Sequence, residues 1–194
     1  MTLDDHLKTS KKTHLIFDFD GTLLKLVLPW EKAIRGLEKE ITALDDRPYR
    51  KYHEKKLPFS LLQNYYVDKF GEKALKILVK NEIEFETKNL KGTILNKELL
   101  NIVKNLSGYE LFIWSSNTKP TIEGLLKKLK IFSKFKKIVS REDVKFLKPE
   151  TDGFKLLYDP KVPKASYLFI GDSEFDKLAA KKAEVDFYFV DFFK

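Results

Sequence analysis

The stretch His14-Leu15-Ile16-Phe17-Asp18-Phe19-Asp20-Gly21-Thr22-Leu23 constrains this chain more than any other. Its near-continuous apolar run is what a strand covered on both faces requires. That run ends in two carboxyl residues one position apart, followed at once by Gly-Thr. Carboxylates beside a buried strand are costly unless a cation or hydrogen bonds compensate. At the carboxyl end of a strand in a parallel sheet they face the crevice where ligands bind. Gly21 lets the backbone turn sharply there and approach a ligand closely.

Further apolar runs predict strands at Leu111–Trp114, Lys137–Val139, Tyr167–Ile170 and Phe187–Val190, with the first at Leu15–Phe19. Helical patterns lie between them at Asn96–Leu106, Pro120–Leu129 and Glu174–Ala183. Strands alternating with helices predict an α/β fold: a Rossmann-like parallel sheet core with helices on both faces. The segment from Leu26 to Leu90 breaks the rhythm, with helical patterns at Glu31–Leu44, Tyr49–Lys56, Leu61–Phe70 and Glu72–Glu86 and no convincing strand. Ser60-Leu61-Leu62-Gln63 has the spacing of a capping box. The expected organisation is a core of residues 1–25 and 91–194 interrupted by an all-helical insertion, residues 26–90.

With 194 residues the chain suits one domain carrying such an insertion. It has no cysteine, which excludes disulfides, thiolate metal sites and Cys nucleophiles. His6, His14 and His53 lack metal-ligand spacing. The net charge of +8 favours anionic partners, but the basic residues are spread along the chain, so no nucleic-acid partner is expected. The polar Met1–Thr13 segment and the absence of a long apolar run predict no membrane span, and a cytoplasmic protein is the default.

The motif at Asp18 resembles the first motif of the haloacid dehalogenase-like (HAD) superfamily, and three further motifs follow in order at strand ends. Leu111-Phe112-Ile113-Trp114-Ser115-Ser116-Asn117 is similar to the second, Lys148-Pro149 to the third, and Gly171-Asp172-Ser173-Glu174-Phe175-Asp176 to the fourth. The resemblance covers Thr13–Leu26 and Leu90–Phe189. It implies a phosphatase that uses Asp18 as a covalent nucleophile and Asp20 as general acid and base. It also implies a Mg²⁺ held by the Asp18 side chain, the Asp20 carbonyl and Asp172, with Asp176 supporting the metal or anchoring Lys148. Lys148 would balance charge on Asp18 and the phosphoryl group. A serine would donate to a phosphoryl oxygen, assisted by nearby backbone N–H groups. Ser115 directly follows the apolar run, and Ser116 is the alternative; Gly21 and Asn117 complete the expected phosphate-binding set. Gly171-Asp172-Ser173 is also the Gly-Asp-Ser of some esterases, but all three histidines precede it.

In this family an insertion after the first motif is a type-1 cap that closes the site and carries much of the specificity. Residues 26–90 fit that description, with Leu24–Pro29 and Asn89–Gly92 as hinges. Arg35, Arg47, Arg50 and Lys51 are potential contacts to an anionic substrate, although a solvated helix face explains them equally. Trp30 and Phe59 suit cap–core packing better than stacking on a substrate. The expected substrate is a small phosphorylated metabolite, such as phosphoglycolate, a sugar phosphate or a nucleotide. A phosphosugar mutase on the same core and a non-catalytic phosphate-binding or regulatory protein are the alternatives.

Overall fold

The computed structural model describes residues 2–55 and 58–192. In chain order the helices and strands are α1 (Leu3–Thr9), β1 (His14–Phe17), β2 (Leu24–Leu26), α2 (Trp30–Thr42), α3 (Asp46–Lys55), α4 (Phe59–Asn89), β3 (Thr93–Leu95), α5 (Lys97–Asn105), β4 (Glu110–Trp114), α6 (Lys119–Lys128), β5 (Phe135–Val139), α7 (Asp152–Leu157), β6 (Tyr167–Gly171), α8 (Glu174–Ala183) and β7 (Asp186–Phe189). Five strands form one parallel sheet in the order β5-β4-β1-β6-β7. β1 is central because its Leu15, Ile16 and Phe17 are all fully buried, a composition only an interior strand can use.

Alternation along the strands separates two apolar layers. Leu15, Phe17, Leu111, Ile113, Leu168 and Ile170 pack with residues of α1, α5 and α6. Ile16, Phe112, Trp114, Tyr167 and Phe169 pack on the opposite face with residues of α7 and α8. The result is the α/β core with helices on both faces that the sequence predicts. β1 pairs with β4 on one side and β6 on the other, and the connections leaving the carboxyl ends of β1 and β6, towards β4 and β7, run in opposite directions. That divergence opens a crevice directly above Asp18.

α2, α3 and α4 build a separate apolar cluster from Leu37, Ile41, Tyr49, Leu62, Tyr66, Val67, Ala74 and Leu78. Within α4, Gly71 is non-helical (φ 58°, ψ −137°), which kinks the helix where the sequence predicts a break. The Ser60 capping box does not form. Pro58 occupies the N-cap position of α4 without a side-chain cap bond, and Gln63 instead donates to Glu82. The end of the predicted Tyr49–Lys56 helix at Lys56 lies outside the described residues.

Two features were not expected from the sequence. α1 packs Leu3 and Leu7 into the core. The two segments joining the helical insertion to the sheet pair as an antiparallel ribbon, β2 with β3, extended by hydrogen bonds between Val27 and both Lys91 and Gly92. Among the described residues, no helix is long and apolar enough to cross a membrane.

Candidate active site

Asp18 is the first residue after β1, and its backbone N–H still donates to the Ile170 carbonyl of β6, 2.9 Å away. The chain then turns through Gly21, which adopts a positive φ of 89°. A Cβ at this position would lie 2.7 Å from the Asp172 Cγ. Gly21→Ala therefore combines an unfavourable backbone conformation with displacement of a carboxylate the site uses. It is expected to lower activity at least about 100-fold while the sheet still forms, checked by phosphate release alongside circular dichroism.

The segments following β4, β5 and β6 deliver most of the other groups. Lys148, in the loop between β5 and α7, reaches Asp18 Oδ1 at 2.6 Å and Asp176 Oδ1 at 2.5 Å. Its Nζ also lies 3.3 Å from the Trp114 carbonyl at the end of β4. The second Asp176 oxygen accepts from Ser173 N and Ser173 Oγ, forming the capping box that starts α8. Asp176 is thus the anchor that aims Lys148. Thr22, overlooked in the sequence, donates from Oγ1 to Asp172 Oδ1 at 2.8 Å and fixes that carboxylate.

Oxygens of Asp18, Asp172 and Asp176 lie within 4.8 Å of one another. Three carboxylates around the one ammonium of Lys148 leave an excess of negative charge in a mostly buried site. An oxygen-rich cluster of this kind fits a hard divalent cation. The electrostatics agree. Burial pushes Asp18 up to about 8, opposed by Lys148 and reinforced by Asp176 and Asp172. Asp172 is raised as well, first by burial. Burial alone would pull Lys148 down, but Asp176 and Asp18 outweigh it and hold its ammonium above the ordinary range. Asp20 stands apart from the cluster. Burial raises it to about 6, and its Oδ1 accepts from the Leu26 N–H at 2.7 Å. The β2–β3 ribbon therefore orients this carboxyl.

These groups surround a cavity of about 230 Å³ lined by Asp18, Asp20, Ser115, Ser116, Asn117, Lys148 and Asp172. Ser115 Oγ donates to Asn117 Oδ1 at 2.9 Å and accepts from Asn117 N at 3.2 Å, so this pair forms one rigid unit. Ser116 also lines the cavity and is half-buried. Trp30 and Phe59 form part of the wall, and Trp30 packs against Phe85 of α4. Arg35, Arg47, Arg50 and Lys51 do not line it; Arg47 pairs with Asp45, and Arg50 with Asp46.

The helical insertion grips the core at two polar points. Asn64 exchanges two 2.8 Å hydrogen bonds with the Leu147 backbone, next to Lys148. Glu86, buried on α4, accepts from Asn117 Nδ2 at 2.9 Å, Thr118 N at 3.1 Å and Thr118 Oγ1 at 2.5 Å. Glu86 thus braces Asn117, which in turn holds Ser115. One turn earlier, Glu82 is buried beside Gln63, and both line the cavity. The spacing Ala74, Leu78, Glu82, Glu86 was the available signal: the apolar stripe of α4 ends in two carboxylates.

Burial raises Glu82 to about 7, with nearby Arg141 opposing and Glu86 reinforcing the shift. Between its ordinary value of 4.5 and about 7, the folded protein binds more protons than the unfolded chain. Stability therefore falls as pH rises through that window, by on the order of 3 kcal/mol in total. Glu82→Gln removes the titration. Its Tm is expected to match wild type near pH 5 and to exceed it by several degrees at pH 8, measured by thermal melts across pH.

A family model of haloacid dehalogenase-like hydrolases matches residues 15–190, nearly the whole chain. The chain belongs to that family. As a member it is a hydrolytic enzyme. Among solved structures, a protein described as a haloacid dehalogenase-like hydrolase from Bacteroides fragilis is 26% identical, with a TM-score of 0.61 over 93% of this chain and 88% of that one. A HAD hydrolase from Bacillus subtilis, described as bound to magnesium and as showing interdomain movement, is 19% identical, with a TM-score of 0.53 over 92% and 86%. A Haemophilus somnus protein described as a phosphoglycolate phosphatase is also 19% identical, with a TM-score of 0.55 over 92% and 85%. No curated protein matches the chain at a significant level.

Proposed function

We propose that this hydrolase is a magnesium-dependent phosphomonoesterase acting on a small phosphorylated metabolite through an aspartyl-phosphate on Asp18. One observation carries the reading: the Asp18 carboxylate opens on the cavity, paired with Lys148 and adjoining Asp172 and Asp176. Asp18, Asp172, the Asp20 carbonyl and, at the rear, Asp176 would hold the cation. When bound, Mg²⁺ supplies positive charge to the phosphoryl oxygens, which lets an anionic nucleophile approach an anionic ester.

The chain's own groups perform the transfers. Asp18 attacks phosphorus, so an aspartyl O–P bond forms as the ester P–O bond breaks. The leaving oxygen takes a proton from Asp20, whose raised value near 6 keeps part of it protonated close to neutrality. Asp20, now a carboxylate, removes a proton from water. The resulting hydroxide bonds to phosphorus, phosphate departs and Asp18 is regenerated. Lys148 holds Asp18 in line and faces the transferring oxygens. Ser115 is the proposed phosphoryl contact, its hydroxyl turning from Asn117 Oδ1 to the phosphoryl oxygen, with Ser116 beside it.

This reading is tested by phosphate release from a panel of phosphomonoesters with Mg²⁺ and with EDTA. Turnover that EDTA abolishes and Mg²⁺ restores is expected. Full activity in EDTA counts against the cation. The same reading places the enzyme in the cytoplasm, where phosphorylated metabolites reside.

A further inference from the structure

The helical insertion lines the cavity with the polar side chains Ser60, Gln63 and Glu82. Glu82 presents a buried carboxylate to it. Gln63, 2% exposed, gives its amide N–H to Glu82, and its Oε1 is buried with no hydrogen-bond partner. A buried acceptor left unpaired is costly, and Gln63 is among the residues that line the cavity. Trp30, Phe59, Leu147 and Phe175 supply apolar walls.

Lys148 is the only cationic side chain among the described residues lining the cavity, and Asp18 and Asp176 already engage it. Arg141 lies outside the lining. It is fully buried, its three guanidinium nitrogens lack hydrogen-bond partners among the described residues, and its charge faces Glu82 and Glu142. With Glu86 adjoining Glu82, carboxylates outnumber cations over this region.

Resting on the phosphatase reading above, we infer that the natural substrate's leaving group is small and carries hydrogen-bond donors, hydroxyl or ammonium, received by Glu82 and Gln63. A carboxylated leaving group is excluded. A carboxylate brought to this position would meet Glu82 at close range with no cation to receive it, and like-charge juxtaposition in a dry site is strongly unfavourable. The function therefore narrows to short polyol or amino-alcohol phosphates. Phosphoglycolate falls outside it, although similar folds bear that description.

Three short esters isolate the chemistry at pH 8 with Mg²⁺: glycerol 1-phosphate, phosphoethanolamine and 2-phosphoglycolate. Acetyl phosphate reports on the phosphoryl chemistry separately. Wild type is expected to show kcat/KM at least about 100-fold higher for one or both donor-bearing esters than for 2-phosphoglycolate. Glu82→Gln should shrink that ratio at least about 10-fold, chiefly through KM, and Gln63→Leu should weaken the donor-bearing esters alone. Thermal melts establish that both variants are folded. If wild type hydrolyses acetyl phosphate but takes 2-phosphoglycolate equally well or better, the inference is overturned while the phosphatase reading stands. A ratio unchanged in folded Glu82→Gln overturns it too. If wild type hydrolyses none of these esters, including acetyl phosphate, the phosphatase reading itself fails and the inference with it.

Discussion

Asp18→Asn is expected to lower phosphate release by about 10⁴-fold or more while leaving the protein folded. The size follows from removing the attacking atom, because groups that act as a unit lose nearly all their contribution together. The intact fold follows from the electrostatics of the same residue. Burial holds Asp18 up at about 8, so its ionised form is a cost to the native state that an amide of equal shape does not incur. Thermal unfolding should therefore place the variant at or above wild type in the absence of cation. A variant that is both inactive and unfolded would contradict this account of the residue's environment.

Lys148→Met should behave in the opposite way and lose stability as well as activity. Lys148 is buried between two carboxylates, 2.6 Å from Asp18 and 2.5 Å from Asp176. Removing one partner from a buried ion pair leaves uncompensated charge and costs about 3–5 kcal/mol. Activity should fall by about 10²–10³-fold, the scale of losing one preorganised contact to developing charge. The double variant Asp18→Asn/Lys148→Met should recover part of the stability, since one stranded carboxylate is then gone. Denaturant unfolding of the four proteins gives the coupling directly. Strictly additive stability changes would show that the two side chains do not interact.

The core was legible because its strands are buried on both faces and so read as unbroken apolar runs. Stretches such as Leu15–Phe17, Phe112–Trp114 and Leu168–Ile170 suit the interior of a sheet and little else. The four motifs located Asp18, Asp20, Ser115, Lys148, Asp172 and Asp176; the first five line one cavity in the structure, and Asp176 holds Lys148 from behind. What stayed hidden depends on contacts between distant segments. The β2–β3 ribbon has strands of three residues each, too short for periodicity to register. Gln63 looked like a capping residue, and a tertiary partner, Glu82, claimed its side chain instead. Glu82 and Glu86 fell inside the predicted Glu72–Glu86 helix without being singled out. Only packing against Arg141, Asn117 and Thr118 shows that they are buried.

The central claim is that phosphate passes through a covalent bond to Asp18. Asp20→Asn tests it most directly, because loss of the base for water attack should slow breakdown of the aspartyl-phosphate more than its formation from a substrate with a good leaving group. The variant, loaded with Mg²⁺ and mixed with acetyl phosphate, is quenched in acid, digested and examined by mass spectrometry. The expected result is near-stoichiometric phosphorylation of the peptide carrying Asp18, at that residue, and none in Asp18→Asn/Asp20→Asn. A phosphoryl group on Ser115, Ser173 or any other side chain, or sustained turnover by Asp18→Asn, would contradict the account.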